Sequence, residues 1–129
     1  MNEPSAKVDE LAKTVVDACI EVHKALGPGY LESVYEEALV KELTLREISF
    51  ERQKAINVNY KGEPVGQARL DLLVDKLLVV ELKAVESLAP IHTAQVISYL
   101  KAGTFQLGLL INFNTTLLKH GIKRIALTR

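Results

Sequence analysis

Apolar residues recur along the first part of the chain in steps of three and four, at Val8, Leu11, Val15, Cys19, Val22 and Leu26. That spacing keeps them on one side of a helix, so it predicts an amphipathic helix from Ser5 to about Leu26. Gly27-Pro28-Gly29-Tyr30 must end it, because paired glycines and a proline do not continue a helix. A second helix is predicted from Leu31 to about Arg46. Its apolar side is Leu31, Val34, Tyr35, Ala38, Leu39 and Leu43, and Glu32, Glu36 and Glu37 sit in its early turns. After Glu47 the period falls to two: Phe50, Arg52 and Lys54, then Ile56, Val58 and Tyr60, each line one face of a strand. Lys61-Gly62 reads as the turn that follows. A second strand spans roughly Val65 to Val74 and a third Leu77 to Val85, joined tightly at Asp75-Lys76. Pro90 suits the first turn of a third helix to about Ala102, with Ile91, Ala94, Val96, Ile97 and Leu100 as its apolar positions, and Gly103 ends it. Gln106 to Phe113 is a continuous apolar run, as in a strand buried on both faces, and Ile122 to Leu127 forms a last strand after a turn at Gly121.

The order α-α-β-β-β-α-β-β predicts one mixed α/β domain over residues 1–129: a three-stranded meander, a crossover helix, and a strand added parallel to the sheet. A length of 129 residues suffices for one real core. The 48% hydrophobic and 25% charged content is that of a soluble globular protein. No apolar run approaches the roughly 20 residues that span a bilayer, so no membrane partner is expected. The polar opening MNEPSAKVDE has neither signal-peptide nor transit-peptide character, and a cytoplasmic location is the default expectation. A single cysteine, Cys19, excludes an internal disulfide and a cysteine-based zinc site; on the apolar side of the first helix it reads as core. Sixteen basic and sixteen acidic residues balance, so no bulk field draws the chain to nucleic acid. Lys41, Arg46, Arg52, Lys54, Lys61 and Arg69 could make a local basic strip, but Glu42, Glu47, Glu51 and Glu63 intersperse it.

Within Asp71 to Val85, DLLVDKLLVVELKAV, charge stands where the pattern is apolar. Glu81 and Lys83 share one face of the third strand, with Val79 and Val85. Desolvated there, each needs a partner or a metal, and an ion pair is the simplest answer. Asp71 changes that balance. If the second and third strands pair across Asp75, Asp71 lies beside Glu81, and two adjacent carboxylates repel. A divalent cation held by Asp71, Glu81 and the Leu82 backbone carbonyl satisfies both; all-oxygen ligation points to Mg²⁺ or Mn²⁺, with Lys83 beside it. A condition attaches. A strict two-residue hairpin would pair Asp71 with Val80 and put the acids on opposite faces, whereas a three-residue loop or a bulge brings them together.

Asp71, then Glu81-Leu82-Lys83 in a strand hairpin, then a helix carrying Gln95 and Tyr99 four residues apart, resembles the PD-(D/E)XK nuclease superfamily, including the Q-x-x-x-Y variant of its helical motif. Gly29-Tyr30-Leu31-Glu32-Ser33-Val34-Tyr35 matches the G-x-x-E-x-x-Y motif of a family of small, mostly uncharacterised proteins within it. The literal proline-aspartate pair is absent, since Leu70 precedes Asp71. The resemblance implies a restriction-endonuclease-like core (α-β-β-β-α-β) with an extra N-terminal helix and a C-terminal strand. It also implies a Mg²⁺-dependent phosphodiesterase site. Asp71 and Glu81 would be the metal ligands. Lys83 would activate the attacking water and stabilise phosphate charge. Glu32 would aid metal or water binding, Gln95 would position Lys83 or the water, and Tyr99 would support from the next turn.

Other readings stay open for several positions. Glu32 suits the first turn of its helix through the dipole alone. Tyr35 is either a substrate contact or an apolar-face residue with its hydroxyl at the rim. Gln95 and Tyr99 also fit a solvated helix side. Arg69 could bind a phosphate or pair with Asp71, and His92 could line a pocket or cap its helix. His23 and His120 read as surface residues. The expected activity is nuclease or phosphodiesterase hydrolysis of nucleic acid. The alternatives are a catalytically silent nucleic-acid or protein binding module on the same fold, and a purely structural dimer. A homodimer through an apolar face of the first helix would enlarge the surface in any of these cases.

Overall fold

The computed structural model describes residues 3–127. Helix α1 (Ala6–Leu26) begins where the Ser5 hydroxyl accepts the Val8 N–H at 3.3 Å, satisfying one of the free donors of the first turn. Its buried side is Val8, Ala12, Val15, Ala18, Cys19, Val22 and His23. The predicted stripe is present and widened by alanines, with Leu11 and Leu26 at its margin. His23 corrects the sequence reading: it is buried, and its Nε2 hydrogen-bonds with the Thr115 carbonyl oxygen at 2.8 Å, which makes a polar ring tolerable there. Helix α2 (Glu32–Leu45) buries only Tyr35, Leu39 and Leu43, a single i, i+4, i+8 row. Leu31 precedes the helix in extended conformation and is 76% exposed, and Val34 is also exposed, so the apolar side is narrower than predicted.

The five strands are β1 (Phe50–Tyr60), β2 (Glu63–Val74), β3 (Leu78–Lys83), β4 (Leu107–Asn112) and β5 (Ile122–Ala126), side by side in that order. All neighbours are antiparallel except β3 and β4, which run parallel through the crossover helix α3 (Pro90–Gly103). This is the predicted meander, crossover and added strand. α1 and α2 cover one face of the sheet, over Leu72, Val74, Leu78, Val80, Leu82, Leu107, Leu109 and Ile111. α3 covers the other, with Val96 and Leu100 against Leu70, Leu73, Val79 and Leu110. Each fully buried leucine or valine contributes roughly 1.5–3 kcal/mol, so these two cores, rather than helix propensity, hold the three layers together. Among the described residues no helix is long and apolar enough to cross a membrane.

The ends of β3 and α3 differ from the sequence reading, each for a local reason. β3 ends at Lys83 rather than Val85, because the buried Asn112 side chain takes over Val85: Asn112 Oδ1 accepts its N–H at 3.0 Å and Nδ2 donates to its carbonyl at 2.9 Å. α3 closes at Thr104, in the left-handed region (φ 56°, ψ 43°), not at Gly103. Gly103 lies inside the helix because the Phe105 ring occupies the space of a side chain there; a Cβ would fall 2.1 Å from Phe105 Cε2. Ile91, predicted apolar-side, is 69% exposed.

Candidate active site

The connection between β2 and β3 decides which acids meet. Asp75 and Lys76 both adopt left-handed conformations (φ 50° and 59°), and the Leu77 N–H donates to the Val74 carbonyl at 2.9 Å, a two-residue turn of the type that suits hairpins. Val74 then faces Leu78, not Leu77. Leu77 is therefore an extra residue, and it shifts the register by one so that Leu73 faces Val79 and Leu72 faces Val80. Continued one step, that register sets Asp71 opposite Glu81. The irregular connection that the metal reading required is present.

The ladder stops at that step and side chains replace it. Asp71 donates its N–H to Glu81 Oε2 at 2.8 Å, and Leu82 donates its N–H to Asp71 Oδ2 at 2.8 Å. On the other side of β2 the pairing runs Arg52 with Leu72 and Lys54 with Leu70, passing over Gln53 and Asp71. Gln53 is left-handed there, at φ 48°. Leu70 packs under α3 while Leu72 packs under α1 and α2, a change of sides that strict alternation does not allow. A kink in both strands thus frees the Asp71 backbone from the sheet and turns it toward Glu81.

Glu81 is 3% exposed. Burial raises its carboxyl to about 8, the charge of Asp71 adds to the rise, and the Asp71 N–H and the Lys83 charge oppose it. Burial likewise lifts Asp71 above its ordinary value; the Leu82 N–H offsets part of this, while Glu36 and Glu32 add to it. Tyr99 is raised by burial and by the charges of Glu81 and Asp71, with a Gln95 hydrogen bond acting against them. Lys83 Nζ donates to Gln95 Oε1 at 3.4 Å, joining β3 to α3. From α2, Glu32 Oε2 accepts the Ala84 N–H at 3.4 Å, at the residue after Lys83. Asp71, Glu81, Leu82, Lys83, Gln95, Tyr99 and Glu32 are therefore gathered at the end of β3, with helices on both faces of the sheet contributing.

Three other predicted positions lie elsewhere or act otherwise. Tyr35 is fully buried: it stacks on Phe113 with centroids 4.5 Å apart, donates its hydroxyl to the Gly27 carbonyl at 2.6 Å and accepts the Tyr30 N–H at 3.2 Å. It anchors the Gly27–Tyr30 loop, and its hydroxyl reaches no rim. His92 Nδ1 accepts the Ala89 N–H at 3.0 Å, which is the capping role. Arg69 is exposed and forms no ion pair among the described residues, so the bridge to Asp71 is not made.

Two features escaped the sequence. Glu36, partly buried, stands one turn beyond Glu32 and accepts hydrogen bonds from Gln53 Nε2 at 2.9 Å and from Arg52 Nε and Nη2 at 3.2 and 3.1 Å. Its i, i+4 spacing from Glu32 was the available signal. Asn112, which fixes the loop after Lys83, lies inside the run Gln106 to Phe113 that the sequence reading treated as continuously apolar.

Among the described residues no three His, Cys, Asp or Glu side chains converge into a ready chelate. The donor set still fits a hard cation. Asp71 and Glu81 each have one oxygen held by a backbone N–H, and no hydrogen bond to Asp71 Oδ1 or Glu81 Oε1 occurs among the described residues. Two repelling, partly desolvated carboxylates with oxygens to give are what a divalent ion neutralises.

The sequence profile described as PD-(D/E)XK nuclease superfamily matches residues 9–125. No curated protein and no solved structure matches the chain.

Proposed function

Since the chain belongs to the PD-(D/E)XK nuclease superfamily, we propose that it is a nuclease hydrolysing nucleic-acid phosphodiester bonds with Mg²⁺ or Mn²⁺ at the Asp71–Glu81 pair. The observation that carries the reading is the bulge at Leu77, which aligns the buried Glu81 with the partly buried Asp71, two acids that a regular hairpin would keep on opposite faces. Asp71, Glu81 and the Leu82 carbonyl would hold the cation, which supplies Lewis-acid polarisation of the phosphate and a more acidic water. The chain's own groups have distinct tasks. Lys83 holds positive charge beside the acids, where negative charge develops on the phosphate, and Gln95 fixes its ammonium in place. Tyr99, kept neutral by burial first and then by the charges of Glu81 and Asp71, is hydrogen-bonded to Gln95 and supports that side chain rather than exchanging a proton. Glu32, held at the Ala84 N–H, is placed to accept a proton from the attacking water. Arg69, exposed on β2, is the phosphate contact.

The test is cleavage of single- and double-stranded DNA and RNA with either metal. Wild type should cut at least one of them, and Lys83→Ala and Asp71→Ala should each lose that activity by about a hundredfold or more. Activity surviving in both variants would sink the assignment. The balanced charge favours a second reading, a domain that binds nucleic acid or protein through this fold without turnover. It would show binding without cleavage and weak metal affinity by calorimetry.

A further inference from the structure

We propose that Glu36 is a positioning residue: by clamping Gln53 and Arg52 against α2 it holds the β1 kink that aims the Asp71 carboxylate at the Leu82 N–H. Gln53 is the residue opposite Asp71 in the β1–β2 register, and it is where pairing is skipped. Its left-handed backbone (φ 48°) is unfavourable for a residue with a side chain, so something must hold it there. The Gln53 carboxamide reaches Glu36 Oε1 at 2.9 Å, and Arg52, its neighbour, places two nitrogens on Glu36 Oε2 at 3.2 and 3.1 Å. Both Glu36 oxygens are thereby occupied, which makes it a poor candidate for a further metal ligand and a good one for a brace. Arg52 also reaches Glu37, so two consecutive residues of β1 are fixed to one turn of α2.

The consequence runs through the strand pair. With Gln53 held out of the ladder, Asp71 has no partner on the β1 side, its own N–H turns to Glu81 Oε2, and its Oδ2 takes the Leu82 N–H. Without the clamp, Gln53 would relax into ordinary extended backbone and pair with Asp71, drawing Asp71 away from β3. The inference takes from the proposed function only that Asp71 is a metal ligand, and its first readout does not depend on that.

The experiment compares Glu36→Ala and Gln53→Ala with wild type by amide NMR without metal, and by calorimetric titration with Mn²⁺. The Leu82 amide should move upfield and exchange with solvent at least tenfold faster in both variants, while amides of β4 stay unchanged. Mn²⁺ affinity should fall roughly 10- to 100-fold, the range for lost support of a metal ligand. Glu36→Gln, which keeps an acceptor for Gln53, should recover part of both signals. An unaltered Leu82 amide in Glu36→Ala and Gln53→Ala overturns the inference. Asp71→Asn serves as the separate control: if it leaves Mn²⁺ binding intact, the metal reading fails, and the clamp is then judged on the amide signals alone.

Discussion

Glu81 is the residue at which burial and repulsion meet, and it gives the site a measurable pH dependence. Its carboxyl is raised from 4.5 to about 8 by burial first and by Asp71 second. A group that binds its proton more tightly folded than unfolded stabilises the fold fully below its unfolded value. That contribution is lost as pH rises toward the folded value, so the window runs from about 4.5 to about 8. Asp71, also raised, adds to the loss in the same direction. Metal-free protein should therefore lose stability across this window, by at most about 1.4 kcal/mol per pH unit for one such group. Glu81→Gln keeps an oxygen for the Asp71 N–H but cannot ionise. Urea unfolding at several pH values should show a flatter slope for Glu81→Gln and greater stability than wild type at pH 8. Equal slopes for the two proteins would mean that Glu81 ionises freely and is not the strained member of the pair.

At the scale of elements, the hairpin turn is the device on which the site rests. Lys76 occupies a left-handed position that glycine takes without strain, and Asp-Gly is a preferred pair for such turns. Lys76→Gly should stabilise the protein by about 1 kcal/mol in urea unfolding, with Mn²⁺ affinity unchanged because Leu77 still sets the register. A loss of stability would show that the Lys76 side chain makes a contact that outweighs the strain. The hairpin, the crossover and the parallel β4 were legible in the sequence because period, turn residues and connection length are local properties. The pairing of Asp71 with Glu81, and Lys83 on the Glu81 face, were legible once the parity of one turn was treated as the open variable; Gln95 and Glu32 were expected there only through the family resemblance. The roles of Tyr35 and His23 were not legible, whereas capping was one of the two readings that the sequence left open for His92. Each is turned to a backbone group, at Gly27, Thr115 and Ala89, whose need for a partner is created by how the chain packs and ends its helices. Glu36 and Gln53 were hidden for a similar reason: they lie 17 residues apart, and only α2 laid against β1 makes them neighbours.

For the whole molecule, charge sets how nucleic acid can be held. Arg46, Arg52, Lys54 and Arg124 are committed to ion pairs with Asp17, Glu42, Glu36, Glu37, Glu51 and Asp9, which removes much of the basic strip suggested by the sequence. Lys83 and Arg69 form no ion pair among the described residues; Lys83 stands beside Asp71 and Glu81, whose surroundings also include Glu32 and Glu36. Without a cation that region is net negative and repels phosphate; with one, contact reduces to the metal and two or three basic side chains. The logarithm of affinity falls against that of salt by about 0.7 per single-strand phosphate contact and about 0.9 per duplex contact. Binding of a labelled phosphorothioate oligonucleotide, which resists cleavage, should therefore require Mg²⁺ or Mn²⁺ and show a slope of only about −2 between roughly 50 and 300 mM salt. Arg69→Ala should lower that slope by somewhat less than one unit. A slope steeper than about −5, or tight binding in chelator, would mean that a basic surface away from the acids carries the nucleic acid, and that the Asp71–Glu81 centre is not where the backbone is gripped.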